Sequence, residues 1–427
     1  MTTTFNATAS DHEGSTASRR ARVDARLLVM GGRWPPETFL ERLYHGLADR
    51  GIEVTIASSR RPDGSWLGRP NRRWLNAPSW SDSYPLRVAS FVALLGRAAI
   101  RNPAATSGLF MRDRISRSGL IEIFKRLPFA GRQWDVVYFP SNSAAIEAAN
   151  WFNGLCPVVV SCRGSQVSTA PHNPERAQIR SGLEHSLRLA AAVHSVSRHT
   201  RSLAEQYGVD HARLRIIRPA VDEMFFRPSI RRGSVRSAQL VTTGNLIWTK
   251  GHEYLLSAIR LLADRGGPIH LDIIGDGPER QRVLYTIHDL GLQDAVTMRG
   301  KLAPEAVRDC LQKADVFVLS SLSEGISNAV LEAMSCGVPV VTTDCGGMRE
   351  AVTDGVEGFV VPVRDPESMA EALGRLINDP ELRRRMGEAA RQRILREFTL
   401  ERQVDQWMEL FESVLAEKAS RAAEAPA

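Results

Sequence analysis

Val316-Phe317-Val318-Leu319-Ser320-Ser321-Leu322-Ser323-Glu324-Gly325-Ile326-Ser327-Asn328-Ala329-Val330-Leu331-Glu332-Ala333 passes from four apolar residues, through a run of small ones, into a helical pattern. A short apolar run bounded by turn residues reads as a strand covered on both faces. The small residues read as a turn, with a helix predicted from about Ser327. Glu324 falls in the turn and Glu332 on the helix, eight positions later. Were the whole span helical, the two would stand about 12 Å apart. That is too far for one acid–base pair but suits the two ends of an elongated ligand. The exposed N–H groups at the helix start, around Ser327 and Asn328, would face an anion lying between them. The plainer reading makes Glu324 a cap and Glu332 a solvated helix residue, and these residues alone leave both open.

Outward from this stretch the same unit recurs. Strands are predicted at 240–243, 269–274, 296–299, 338–342 and 359–361, with helices at 253–264, 279–290 and 304–313 among them. Strand–helix alternation implies a parallel sheet with helices on both faces. Turns that follow successive strands of such a sheet line one edge, where open α/β sheets bind ligands. Thr243-Gly244-Asn245-Leu246-Ile247-Trp248-Thr249-Lys250-Gly251 is one of these turns. The chain has 50 arginines and only 5 lysines, so Lys250 stands out as a compact point charge suited to phosphate oxygens. An ordinary loop lysine is the alternative. Gly275-Asp276-Gly277-Pro278 is a second turn, and it lacks the third glycine of a dinucleotide fingerprint. Gly346-Gly347 is a third, where backbone could approach a ligand closely. The convergence of these turns carries more than any one of them.

The first half starts the same way, with strands predicted at 23–30, 54–57, 136–139, 158–161 and 214–217. The pattern breaks at 60–132, which reads as an elaboration containing amphipathic segments at 86–100 and 115–127. A chain of 427 residues exceeds what one core usually serves, so two domains are expected. The division is a disordered tail at 1–24, a first Rossmann-like domain at 25–228 and a second at 236–398. A linker falls at 227–237, and a C-terminal helix at 399–420 could cross back to the first domain. Residues 1–235 hold 33 Lys+Arg against 19 Asp+Glu, a net of +14. The block 60–132 alone has 14 basic and 4 acidic residues, a net of +10. Such a block fits a polyanionic partner or a solvated arginine-rich face. The five cysteines form no C-x-x-C pair, which argues for a reducing compartment and against zinc. No apolar stretch is long enough to span a bilayer, so a cytoplasmic protein is expected, either free or peripheral on a membrane.

These motifs resemble glycosyltransferase family 4, retaining transferases with the two-Rossmann GT-B fold, in the branch that builds exopolysaccharides and colanic-acid-type polymers. The resemblance extends over about 25–415 and is specific mainly in 240–365. Glu324 and Glu332 match the family's E-x7-E pair, Gly244 and Lys250 its glycine–lysine turn, Gly275–Pro278 its G-D-G-P turn, and Gly346-Gly347 its later glycine pair. It implies that Glu332 holds the donor ribose, Lys250 the diphosphate and Glu324 the transferred sugar. Gly300 and Lys301 fall where the family's backbone meets the base, and Gly325, Ser327 and Asn328 complete the donor loop. The opening turn, Gly31-Gly32 through Glu37-Thr38-Phe39, looks like the family's E-T-F variant. Three positions depart from the pattern. Asn245 stands where members carry Arg, Arg163 stands in the place of a sugar-contacting His, and Arg218-Pro219-Ala220-Val221-Asp222 replaces N-G-V-D.

The resemblance implies transfer of a hexose from a nucleotide-diphosphate sugar to a hydroxyl of a glycan or lipid-linked acceptor. Glu324, Lys250 and Arg163 are the candidate catalytic residues. No D-x-D triplet occurs, so no metal and no other cofactor is expected. Two rivals stay open: an epimerase or hydrolase of the same fold, and a non-catalytic polyanion-binding protein. Nucleic acid is not expected as a partner.

Overall fold

The computed structural model describes residues 24–31, 34–77, 84–112, 117–229, 237–266 and 268–424. All but one residue of the expected tail, and most of the expected linker, lie outside them, as does Gly32. The chain forms two parallel sheets. The first contains β1 (Arg26–Val29), β2 (Glu53–Ser58), β3 (Arg72–Asn76), β4 (Val136–Phe139), β5 (Val158–Cys162), β6 (Ala192–Ser195) and β7 (Leu214–Ile216), in the order β3-β2-β1-β4-β5-β6-β7. The second contains β8 (Ala238–Thr243), β9 (Ile269–Ile274), β10 (Val296–Gly300), β11 (Val316–Leu319), β12 (Val340–Thr343) and β13 (Gly358–Val361), in the order β10-β9-β8-β11-β12-β13. Central strands such as β4 and β11 are buried along their whole length, because helices cover both faces.

Two strands escape the sequence pattern. β3 reads Arg-Arg-Trp-Leu-Asn, yet it pairs with β2 from Val54↔Arg72 to Ser58↔Asn76. Arg72 is buried there because Asp49 accepts from it at 2.7 Å, His45 Nδ1 at 3.0 Å, and the Trp66 ring lies under its guanidinium. The basic block at 60–132 therefore contains the sheet's own edge strand, which corrects its reading as wholly an elaboration. β6 is Ala-Val-His-Ser, whose small and polar residues carry little strand signal although all four are buried.

Beyond β3 the helices Tyr84–Arg101, Pro103–Arg112 and Arg117–Arg126 form a satellite unit around Leu94, Ala98, Leu109, Ile123 and Phe124. Here Phe91 stacks on Phe124 at 6.2 Å, while Val88, Val92 and Ile100 face outward. The Tyr84–Arg101 helix is thus a core helix on one face and an apolar exposed stripe on the other.

The helix Leu400–Glu424 lies on the first sheet. Its Trp407 packs 4.8 Å from Tyr138 and 4.6 Å from His194, and its Asp405 accepts from Arg50 at 2.6 Å. The five cysteines are unpaired. No helix among the described residues is long and apolar enough to cross a membrane.

Candidate active site

In the second sheet β9 lies on one side of β8 and β11 on the other, so the strand order reverses between β8 and β11. The crevice outside the strand C-termini at such a reversal is where open α/β sheets take ligands. The turns after β8 and β11 meet there. Leu322 N–H donates to Thr249 O at 2.7 Å, and the Ser320 hydroxyl to Lys250 O at 2.8 Å. Lys250 Nζ donates to Glu324 Oε1 at 2.5 Å, and the Ser321 hydroxyl donates to the same oxygen at 2.8 Å. The two residues predicted for diphosphate and sugar are therefore an ion pair, each limiting the other's freedom.

Only Asn328 onward in the span between the two glutamates is helical, because the helix is Asn328–Ser335. Ser327 is its N-cap residue but its hydroxyl makes no capping bond. Asn328 Oδ1 is buried without a partner. The helix start thus keeps unsatisfied donors beside an unsatisfied acceptor.

A cavity of about 470 Å³ opens alongside, lined by Gly244, Asn245, Gly275, Asp276, Gly277, Lys301 and Glu332, among others. Burial raises the Glu332 carboxyl from 4.5 to about 7, partly opposed by the positive charge of Arg42. Gly300 adjoins this wall, and its carbonyl accepts from Gly275 N–H at 2.9 Å. Lys250, Glu324, Gly325, Gly346 and Gly347 stand on the neighbouring turns rather than in the cavity wall.

The glycine turns pack closely on one another. A Cβ on Gly346, whose φ is +57°, would lie 1.7 Å from Glu324 O, and one on Gly347 would lie 2.1 Å from Gly325 O. A Cβ on Gly275 would lie 1.8 Å from Gly244 O. These glycines let turn pack on turn, and Gly275 also stands in the cavity wall. Through that packing they hold the Glu324 backbone.

The first domain faces this crevice with its own strand ends. Arg163 follows β5, and its guanidinium sits 5.0 Å over the Phe39 ring, so the opening E-T-F turn and the Arg163 turn meet. Burial lowers His194 to about 3, with Arg163's charge contributing, so the imidazole is neutral. Its Nε2–H donates to Ile217 O at 2.8 Å, which leaves Nδ1 to accept from Ser161 Oγ at 2.7 Å. Ser161 then accepts from Tyr138 OH at 2.8 Å, and the Tyr138 oxygen accepts from Arg163 Nη2 at 3.1 Å. Arg163 is therefore held by a one-directional chain, and its Nε is buried without a partner. Gly31, with φ +78°, lies two residues past β1 and packs against Ala144.

Two residues that sequence reasoning missed bind the halves together. Arg42, one helical turn beyond Phe39, lies over Phe225 and Phe226 at 5.7 and 5.6 Å, and its charge reaches Glu332. Its spacing from the E-T-F turn was the available signal. Glu350 accepts from the backbone of Arg198 at 2.6 Å and from Arg218 at 3.2 Å, both across the domain boundary. No local pattern announced it. The Ser168 and Ser323 hydroxyls also meet across the boundary, at 3.1 Å. Among the described residues no three His, Cys, Asp or Glu side chains cluster as a metal site.

Two Rossmann-like sheets facing each other across their strand C-termini define the GT-B architecture. Sucrose-phosphate synthase from Thermosynechococcus elongatus superposes with a TM-score of 0.70 at 19% identity, over 92% of this chain and 99% of that one. Anabaena HepE, in complex with UDP and glucose, superposes at 0.67 and 16% identity, over 91% and 100%. The family model described as Glycosyltransferase Family 4 matches residues 36–224, and the one described as Glycosyl transferases group 1 matches residues 231–393. The chain belongs to this family, its first half matching one model and its second half the other. A D-inositol 3-phosphate glycosyltransferase of Paenarthrobacter aurescens is 35% identical over 199 residues, 44% of this chain and 49% of that protein. The chain spans about half the length of the curated relatives it matches.

Proposed function

We propose that this protein transfers a hexose, with retention, from a nucleotide-diphosphate sugar to a hydroxyl of a glycan or lipid-linked acceptor in cell-surface or exopolysaccharide synthesis. The observation that carries the reading is the meeting of Lys250 and Glu324 at the strand-order reversal, beside a cavity that contains Glu332. The HepE complex with UDP and glucose supports the donor class by analogy.

Glu332 and the backbone around Gly244, Gly275, Gly300 and Lys301 would take the nucleoside, with the carboxylate accepting from ribose hydroxyls. A diphosphate at the Asn328 helix start would draw Lys250 away from Glu324. The freed carboxylate would then accept from a sugar hydroxyl. As the glycosidic bond breaks, negative charge grows on the departing β-phosphate oxygen. Lys250 and the helix N–H groups would stabilise that charge more than they do the ground state. Asn245 adds no cation to this work. Arg163, held by Tyr138 and Phe39, is the cation that the first domain offers to the phosphates or the acceptor. No residue stands out as a covalent nucleophile, which favours front-face attack by the acceptor hydroxyl, whose proton leaves with the departing phosphate. Protein cations, rather than a metal, would neutralise the leaving group.

The outward stripe of Val88, Val92 and Ile100, with Arg97 and Arg101 on the same helix, supports a peripheral seat on the cytoplasmic face of an anionic membrane. A thermal-shift screen of nucleotide sugars tests the donor assignment. At least one should raise the melting temperature of the wild type and not that of Lys250→Ala. A panel in which no donor stabilises the protein overturns the reading.

A further inference from the structure

A cavity larger than the one beside Glu332 lies outside the crevice between the domains. It has a volume of about 670 Å³ and lies at the opposite edge of the first sheet. Arg26 opens β1, Asp135 precedes β4 and Cys156 precedes β5, and all three line it. The length of the strands, about 13 Å for four residues, therefore separates it from Gly31 and Arg163 at the other edge.

Its walls are of two kinds. Phe129 contacts Trp134 at 6.1 Å, Trp151 at 6.1 Å and Phe152 at 5.8 Å, which makes one apolar aromatic side. Arg132 and Lys418, both exposed, bring positive charge to the rim. The one acid in the lining, Asp135, is bound by Arg26 at 3.2 Å. Across from the aromatics the Pro103–Arg112 helix presents Ala105 and Gly108, and a Cβ added at Gly108 would meet nothing within 4 Å. Small residues on the helix thus keep the space open. Leu155, on the lining, is 71% exposed.

An aromatic interior with a surplus of cations at its rim matches a molecule with an apolar tail and an anionic head. We propose that this cavity is a second ligand site, separate from the donor crevice, for an amphiphile bearing a phosphate. The tail lies between the Phe129–Trp134–Trp151 wall and the Gly108 face of the helix. The phosphate is held at the rim by Arg132 and Lys418. The interaction is non-covalent, and it needs neither donor nor acceptor in the crevice.

The probe is dodecyl phosphate, titrated calorimetrically into the full chain below its micelle concentration, with dodecanol and inorganic phosphate as separate arms. Saturable binding at one site per chain is expected. Dodecanol should bind at least tenfold more weakly, and so should inorganic phosphate. Gly108→Leu adds a side chain where a Cβ meets nothing within 4 Å, and it should weaken binding at least tenfold while leaving the circular dichroism and melting temperature intact. Arg132→Glu with Lys418→Glu should do the same for the phosphate, and Gly346→Ala, on the second domain, should leave dodecyl phosphate binding as in the wild type wherever it folds. Three results overturn the proposal: no saturable binding by the wild type, undiminished binding by folded Gly108→Leu, or inorganic phosphate binding as tightly as dodecyl phosphate.

Discussion

Replacing Glu332 by glutamine removes an ionisation that the fold opposes. Burial raises this carboxyl from 4.5 to about 7. The folded chain therefore holds a proton that the unfolded chain releases, and the sign follows from linkage. Stability tied to this group is fully present below pH 4.5 and is lost as pH rises through 7. Each pKa unit corresponds to about 1.4 kcal/mol, so the carboxylate costs at most about 3 kcal/mol well above pH 7. Contact with water in the cavity lowers that figure, so about 3 is a ceiling. Glu332→Gln keeps the shape without the charge. It should stabilise by less than about 1 kcal/mol at pH 5 and by up to about 3 kcal/mol at pH 8.5. For a domain of 150–250 residues each kcal/mol moves the melting temperature by about 2–4 °C, so a rise of several degrees is expected. Scanning calorimetry of both proteins at the two pH values measures it. The same variant should weaken nucleotide-sugar binding at least tenfold, because an amide cannot accept from two ribose hydroxyls as a carboxylate can. Equal melting temperatures at pH 8.5, or a difference that does not vary with pH, would refute the reasoning. Unchanged donor affinity in the folded variant would remove Glu332 from the site.

Lys250→Ala should lower kcat by about 100-fold or more, the usual loss when one stabiliser of developing charge is removed; a rate within a few-fold of wild type dismisses the role. Turnover should survive EDTA, and loss of activity restored by magnesium or manganese would overturn the assignment of the leaving-group charge to protein cations. Gly346→Ala places a Cβ against the Glu324 carbonyl in a left-handed conformation, so it should destabilise the second domain by about 2 kcal/mol or more, read by urea unfolding. Sedimentation with vesicles should rise with anionic lipid, fall with salt and weaken in Arg97→Glu/Arg101→Glu; equal recovery from neutral and anionic vesicles at low salt leaves that helix without a membrane role.

Much of the second domain was legible in the sequence because its signals are local. Val316–Leu319, Ile269–Ile274 and the helix Pro304–Lys313 have the predicted bounds, since a parallel strand buried on both faces must be apolar throughout and the following turn must contain small residues. The lone lysine of the β8 turn and the spacing of the two glutamates are local signals as well. β3 and β6 were missed because their burial depends on partners far along the chain: Asp49 and His45 for Arg72, and Ile217 and Trp407 for His194. The sequence alone therefore determined the two-sheet class and which turns of the second sheet would share an edge. Tertiary structure alone decided that Lys250 and Glu324 touch, that Gly346 and Gly347 support backbone, and that Arg42 and Glu350 bridge the domains. The physical reason is range: periodicity and turn chemistry act over a few residues, whereas an ion pair or a backbone contact between distant segments exists only once packing has brought them together.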